Sequence, residues 1–172
     1  FNFDRYYLQA ISGLVEFTEA EIEQYGFTVV GKMPEAEGEI AITKYIYEHF
    51  EKGGYRSLDN EVIIEAKDVT EQKIIGNTLV LFDYEYEITG IIDTNLDPNN
   101  RYGVFKSDSE SSSDIIDYLL QEEFRSVILY GYHSLIYAFP GTISSLTEDS
   151  ETKGIELEGI GHISLWSDYM SF

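Results

Sequence analysis

A strand that stops at a hydroxyl residue and turns straight into a helix is the tightest constraint in this chain. EIAIT (39–43) is a short apolar run, and Thr43 at its end can accept a backbone N–H that would otherwise lack a partner. Residues Lys44 to about Lys52 are therefore expected to be helical, with Ile46 and Phe50 on one face, Tyr47 beside them, and Glu48 and Glu51 turned away. Gly53-Gly54 supplies the stop, because glycine reaches the left-handed backbone a helix end uses without a side-chain penalty. Further on, NTLVLF and YEITGII bracket Asp83 and read as two strands joined by a tight connection. Leu79 and Leu81 fall on one side of the first of these strands and Val80 and Phe82 on the other, so both faces are expected to be at least partly covered.

The flanks carry weaker grammar of the same kind. YYLQAISGLVEF (6–17) reads as a strand region interrupted by Gly13, and TEAEIEQYG (18–26) as a short helix whose Thr18 and Glu21 have capping-box spacing. FTVVGKMP (27–34) is a brief strand running into a turn at Gly31 and Pro34. EVIIEA (61–66) reads as a strand and residues 67–76 as a polar connector or helical turn. Beyond a turn-rich loop (93–103) and an acidic, Ser-rich loop (106–114), Ser113 or Asp114 would cap a helix over IIDYLLQEEF (115–124). SVILYGY (126–132) and SLIYAF (134–139) read as strands. After the polar loop 145–154, IELEGIGHISLW (155–166) alternates at its start and carries Gly159 and Gly161 as bend or bulge points.

Charge and composition remove several classes of function. A net charge of −21 repels phosphate backbones and anionic lipid headgroups, which argues against nucleic-acid binding and leaves a cationic partner as the electrostatic match. With no cysteine, thiol catalysis, disulfides and thiolate metal sites are excluded together. The 14 Tyr and 10 Phe against 3 Pro point to a β-rich body with rings along strands and edges. No apolar run approaches the roughly 18 residues that span a bilayer, and no signal-peptide pattern is seen. The chain begins at Phe1, and the expectation is a segment cut from a longer protein.

Motifs for chemistry fail one by one. Asp93, Asn95 and Asp97 have the spacing that opens an EF-hand loop, but Pro98 stands where that loop needs Gly and Val104 where it needs Glu. An Asx-rich turn is the expected reading. His49, His133 and His162 form no metal-ligand pattern, and His133 is expected to pack with Tyr130, Tyr132 and Tyr137. No nucleophile elbow, S-x-x-K pair or phosphate loop occurs. Among 32 acidic residues no catalytic carboxylate pair can be singled out. No catalytic, metal or cofactor residue is assigned.

Residues 31–94 nevertheless carry an ordered set of pieces. Gly31-x-x-Pro34 is followed by Glu39-Ile40-Ala41-Ile42-Thr43 leading into a glycine-ended helix, then Ile75-Gly76-Asn77-Thr78-Leu79, then Tyr86-Glu87-Ile88-Thr89-Gly90-Ile91-Ile92 and Asp93-Thr94. In this order the stretch resembles the extracytoplasmic, MacB-like periplasmic core domain of MacB/FtsX-like ABC transporter permeases. The positions that carry the match are Gly31, Pro34, Glu39, Gly76, Tyr86 and Gly90, all as structural positions. Independently of that resemblance, Gly76 and Gly90 interrupt apolar runs, where they would allow bulges or close backbone approach.

The expected fold is α+β, with mixed or antiparallel sheets and a few short helices in two small lobes. One lobe, 31–94, would be inserted into an outer lobe made of 1–30 plus 95–172, all within a single extracytoplasmic region. The resemblance implies a non-enzymatic part of a membrane transport protein, without a cofactor in this domain, tethered at the extracytoplasmic face of the cell membrane. Its partners would be the parent's own transmembrane helices and a cytoplasmic ATPase subunit, with a cationic peptide or an accessory surface protein as further candidates. Two alternatives stay open. One is a secreted or cell-surface binding module for peptide or carbohydrate, stacking ligands on exposed Tyr and Trp166; the other is an acid/base hydrolase.

Overall fold

The computed structural model describes residues 6–57, 61–81, 84–96, 115–146, 155–157 and 161–163. The N-terminal part supplies β1 (Gly13–Glu16), α1 (Glu19–Gln24) and β2 (Thr28–Gly31). The middle supplies β3 (Glu39–Thr43), α2 (Lys44–Gly53), β4 (Tyr55–Arg56), β5 (Val62–Ile64), α3 (Glu71–Ile74), β6 (Thr78–Leu81) and β7 (Tyr84–Asp93). α4 (Ile115–Tyr130), β8 (Leu135–Ala138), β9 (Ile155–Leu157) and β10 (Gly161–Ile163) follow. The fold is α+β with a mixed sheet, as expected.

At Thr43 the chain passes from strand to helix in the way its sequence demands. The Thr43 hydroxyl accepts the Ile46 N–H at 3.3 Å and also donates to the His133 carbonyl. The first bond satisfies an orphan donor of α2, and the second ties the helix start to the far end of the chain. Gly54 closes the helix with φ +74, its N–H bonded to the Phe50 carbonyl at 2.7 Å. Ile46 and Phe50 are fully buried and Tyr47 nearly so, each contributing about 1.5–3 kcal/mol of apolar burial. Phe50 stacks on Tyr7 with ring centroids 4.2 Å apart.

One sheet holds six strands in the order β1-β8-β3-β7-β2, with β6 also paired to β7. β1 runs parallel to β8 and β3 parallel to β7, while the β8–β3, β7–β2 and β7–β6 pairings are antiparallel. The stretch 31–94 supplies β3, β6 and β7, and the residues before and after it supply β1, β8 and most of β2. One face of the sheet packs Ile40, Ile42, Ile88 and Ile136 against α2. The other packs Ala41, Ile92 and Tyr137 against Ile22 of α1 and Met33. β4–β5 and β9–β10 are separate two-stranded antiparallel pairs.

Three expectations about the flanks change. Tyr6–Ala10 is a 3-10 turn, because that spacing puts Tyr7 and Ala10 together against the core; Gly13 opens β1 instead of interrupting a strand. Residues 126–130 continue α4, so SVILYGY is no strand. Val and Ile favour strands, but here tertiary contacts decide: Ile128 is buried, and the Ser134 hydroxyl donates to the Ile128 carbonyl at 2.6 Å. Gly131 then leaves the helix in an extended conformation. The tight connection at Asp83, the Ser113/Asp114 cap, the loop 106–114, the bend point at Gly159 and Trp166 lie outside the described residues.

Candidate functional site

β7 is ten residues long and serves two partners on one edge. β6 pairs with its first half, Tyr84–Glu87, and β2 with its second, Gly90–Asp93. On the other edge β3 runs beside Glu87–Ile92, but Ile40 pairs with Ile88 and Ala41 with Gly90, so Thr89 is an extra residue and forms a bulge. Its buried hydroxyl shares its proton between the carbonyls of Lys32 and Ile40, each 3.2 Å away. The Thr89 carbonyl accepts the Lys32 N–H at 3.0 Å.

Three of the six positions that carry the family resemblance meet at this junction. Gly31 pairs with Gly90. With φ +88, Gly31 has a backbone that L side chains rarely adopt, and a Cβ there would stand 2.5 Å from the Thr89 carbonyl oxygen. A Cβ at Gly90 would in the same way come closer than 3.0 Å to the Lys32 carbonyl oxygen. Close approach at Gly90, expected from sequence, is therefore observed. Gly76 donates its N–H to the Ile88 carbonyl at 2.8 Å, one residue before the bulge.

Glu39 organises the loop between β2 and β3. One carboxylate oxygen accepts the Glu35 and Ala36 N–H groups at 2.7 and 3.2 Å, and the other accepts from Lys32 Nζ at 3.3 Å. The Glu35 N–H is the main cause of a Glu39 ionisation held below the ordinary carboxylate value. Pro34 lies half-buried in that loop, away from the junction. Tyr86 is buried opposite Leu79, in the core.

A second feature gathers residues that no motif connects. Phe17 follows β1, Tyr25 ends α1, Phe27 precedes β2, Tyr132 follows α4, and Tyr137 lies on β8. Tyr25 lies nearly parallel over both Phe17 and Phe27, with centroids 5.4 and 5.6 Å away. Its hydroxyl and that of Tyr132 share a hydrogen bond of 3.1 Å. That bond, with smaller contributions from burial and from the Glu21 carboxylate nearby, pushes ionisation of the Tyr25 hydroxyl up. Tyr137 is the buried base of the cluster, meeting Phe17 edge-on at 5.5 Å, whereas Tyr25 is 46% exposed. Tyr132 and Tyr137 stand out in the sequence as neighbours of His133; Phe17, Tyr25 and Phe27 do not, because three separate segments bring them together.

His133 belongs to neither feature. Its Nδ1 bonds the Thr94 hydroxyl at 2.7 Å and its carbonyl accepts from Thr43, so it joins the ends of β3 and β7 instead of packing only among tyrosines. Burial holds its ionisation below the ordinary histidine value. The expected Asx turn is present: Asp93 Oδ1 accepts the Asn95 N–H at 2.9 Å, while Oδ2 pairs with Lys44 at 3.0 Å. Among the described residues, no group of three or more His, Asp or Glu side chains is placed to hold a metal, and no helix is long and apolar enough to cross a membrane. Compared with known proteins, the chain matches no family model, no curated protein and no solved structure.

Proposed function

We propose that the chain is a non-catalytic extracytoplasmic domain of an ABC transporter permease. In this reading it conveys the movement of the parent's transmembrane helices to a transported substrate or to an accessory partner. The observation that carries the reading is the meeting of Gly31, Gly76 and Gly90 around the β7 bulge. A domain that passes on a displacement must be stiff where its strands join. Here a single long strand is bonded to β6 and β2 along one edge and to β3 over Glu87–Ile92 on the other, and the chain enters and leaves 31–94 side by side, with Thr28 opposite Asp93. Reactive groups have no part in that task.

Cell fractionation with an antibody to the 172-residue chain tests the reading. The antigen is expected in the membrane pellet, open to protease added to intact cells, and captured together with an ATP-hydrolysing subunit. An antigen recovered without any such subunit would end the proposal. A second reading, a surface binding module for peptide or carbohydrate, is favoured by the exposure of Tyr25 at the aromatic cluster. It predicts surface exposure with no associated ATPase.

A further inference from the structure

The segments that build the aromatic cluster have a one-sided charge. Residues 12–31 contain Glu16, Glu19, Glu21 and Glu23 and no Lys or Arg, and residues 131–146 contain no Lys or Arg either. Glu21 is one helical turn before Tyr25 and so on the same side of α1. It is held there by the capping box, its carboxylate accepting the Thr18 N–H at 2.7 Å and the Thr18 hydroxyl at 2.8 Å. Glu19 and Glu23 are exposed on the same helix. Glu16 is already engaged, accepting the Ile143 N–H at 2.7 Å.

We infer that the cluster formed by Tyr25 over Phe17 and Phe27, with Tyr132 beside it and Glu21 at its rim, is a docking ledge for a polypeptide segment bearing lysine or arginine. An aromatic face attracts a cation through its quadrupole, and a guanidinium also stacks flat on it. Tyr25 is 46% exposed and is fixed by stacking on two rings and by the Tyr132 hydroxyl bond, so little side-chain freedom is lost on binding. The Glu21 carboxylate supplies the local counter-charge, and the net charge of −21 draws a basic segment in from about a Debye length, ~8 Å at physiological salt. A neutral saccharide would use the same ring but gain nothing from that rim. The inference goes beyond the permease reading and serves the binding-module reading equally, because it concerns a contact and not a tether.

The test is a titration of the 172-residue chain with a capped hexapeptide of alternating arginine and glycine, followed by amide chemical-shift mapping. Shifts are expected to concentrate at 17–27 and 130–137, with the arginine side-chain protons moved upfield by the ring current of Tyr25. Tyr25→Leu keeps the apolar contact with Phe17 and Phe27 but removes the π face. It should raise the Kd about two- to fivefold, the range for an exposed cation–π contact. Glu21→Gln, which keeps an acceptor in the capping box but removes the charge, should weaken binding and flatten its salt dependence. Equal affinity for Tyr25→Leu, shifts spread over the whole acidic surface, or a response to cellotetraose but not to the peptide would each overturn the inference. Should Tyr25→Leu unfold the protein, the shift map and ring-current signature of the unaltered chain decide. Failure here leaves membrane location and ATPase capture untouched, so the two proposals fall separately.

Discussion

Replacing Gly90 with alanine places a methyl group against the Lys32 carbonyl, closer than 3.0 Å to its oxygen and 3.2 Å from both the carbonyl carbon and Val29 Cγ1. Backbone lies on one side and a packed valine on the other, so the clash cannot be relieved by turning a flexible side chain. Overpacking of this kind costs about 1–3 kcal/mol. Moving β2 away also stretches the Lys32 N–H to Thr89 bond and the Thr89 hydroxyl bond to Lys32, each worth about 1 kcal/mol. Alanine narrows the unfolded ensemble and returns about 0.4–1 kcal/mol. The net expectation is a loss of about 2–4 kcal/mol, a large share of the roughly 5–15 kcal/mol that holds a domain folded. For a chain of this size that lowers the melting midpoint by roughly 5–15 °C. Urea unfolding followed by circular dichroism measures it, with Gly13→Ala as reference. A Cβ at Gly13 meets only Leu135 Cδ2, at an ordinary 3.5 Å, so that variant should stay within about 0.5 kcal/mol of the parent. If Gly90→Ala is no more costly than Gly13→Ala, the β2–β7 junction is not a tight point of the fold.

Thr43→Val keeps the shape of a fully buried side chain but removes the cap on Ile46 and the bond to the His133 carbonyl; it should cost about 2–3 kcal/mol by urea unfolding, and Thr43→Ser less than half of that. Burial holds the ionisation of His49 below its ordinary 6.5, so below that pH the unfolded chain takes up the proton first and the contribution of His49 to stability falls. The fall is at most about 1.4 kcal/mol per pH unit. Lower pH also relieves repulsion across the acidic surface, so the quantity to measure is the stability difference between the parent and His49→Leu, which should shrink from pH 7.5 to 5.5; a constant or growing difference refutes the assignment. Glu39→Gln should speed exchange of the Glu35 and Ala36 amide protons about tenfold, since both lose a charged acceptor, and unchanged exchange would mean that the carboxylate does not order the loop.

Elements whose signals lie within a few residues of chain are legible in the sequence itself. The Thr18/Glu21 box, the Thr43 cap, the Gly53-Gly54 stop and the strand 39–43 all appear where expected, since each turns on a hydrogen bond or a backbone conformation confined to one turn of chain. The failures occur where local preference is overruled. Residues 126–130 have β-forming side chains yet complete a helix, because Ser134 and the core reward that arrangement. Tyr6–Ala10 curls into a 3-10 turn so that Tyr7 reaches Phe50, more than forty residues away. For the candidate sites the division is the same. Gly90 is legible as a point of close approach, but what approaches it is not.

Local order, charge and the absence of thiol chemistry are therefore properties that this string of residues settles alone, because they depend on composition or on neighbours along the chain. Which strands share an edge of β7, why Thr89 bulges between them, and how Phe17, Tyr25, Phe27 and Tyr132 come to form one surface depend on pairings between distant segments. Such pairings are selected by the burial and hydrogen bonding of the whole sheet, and no short window of sequence contains both partners.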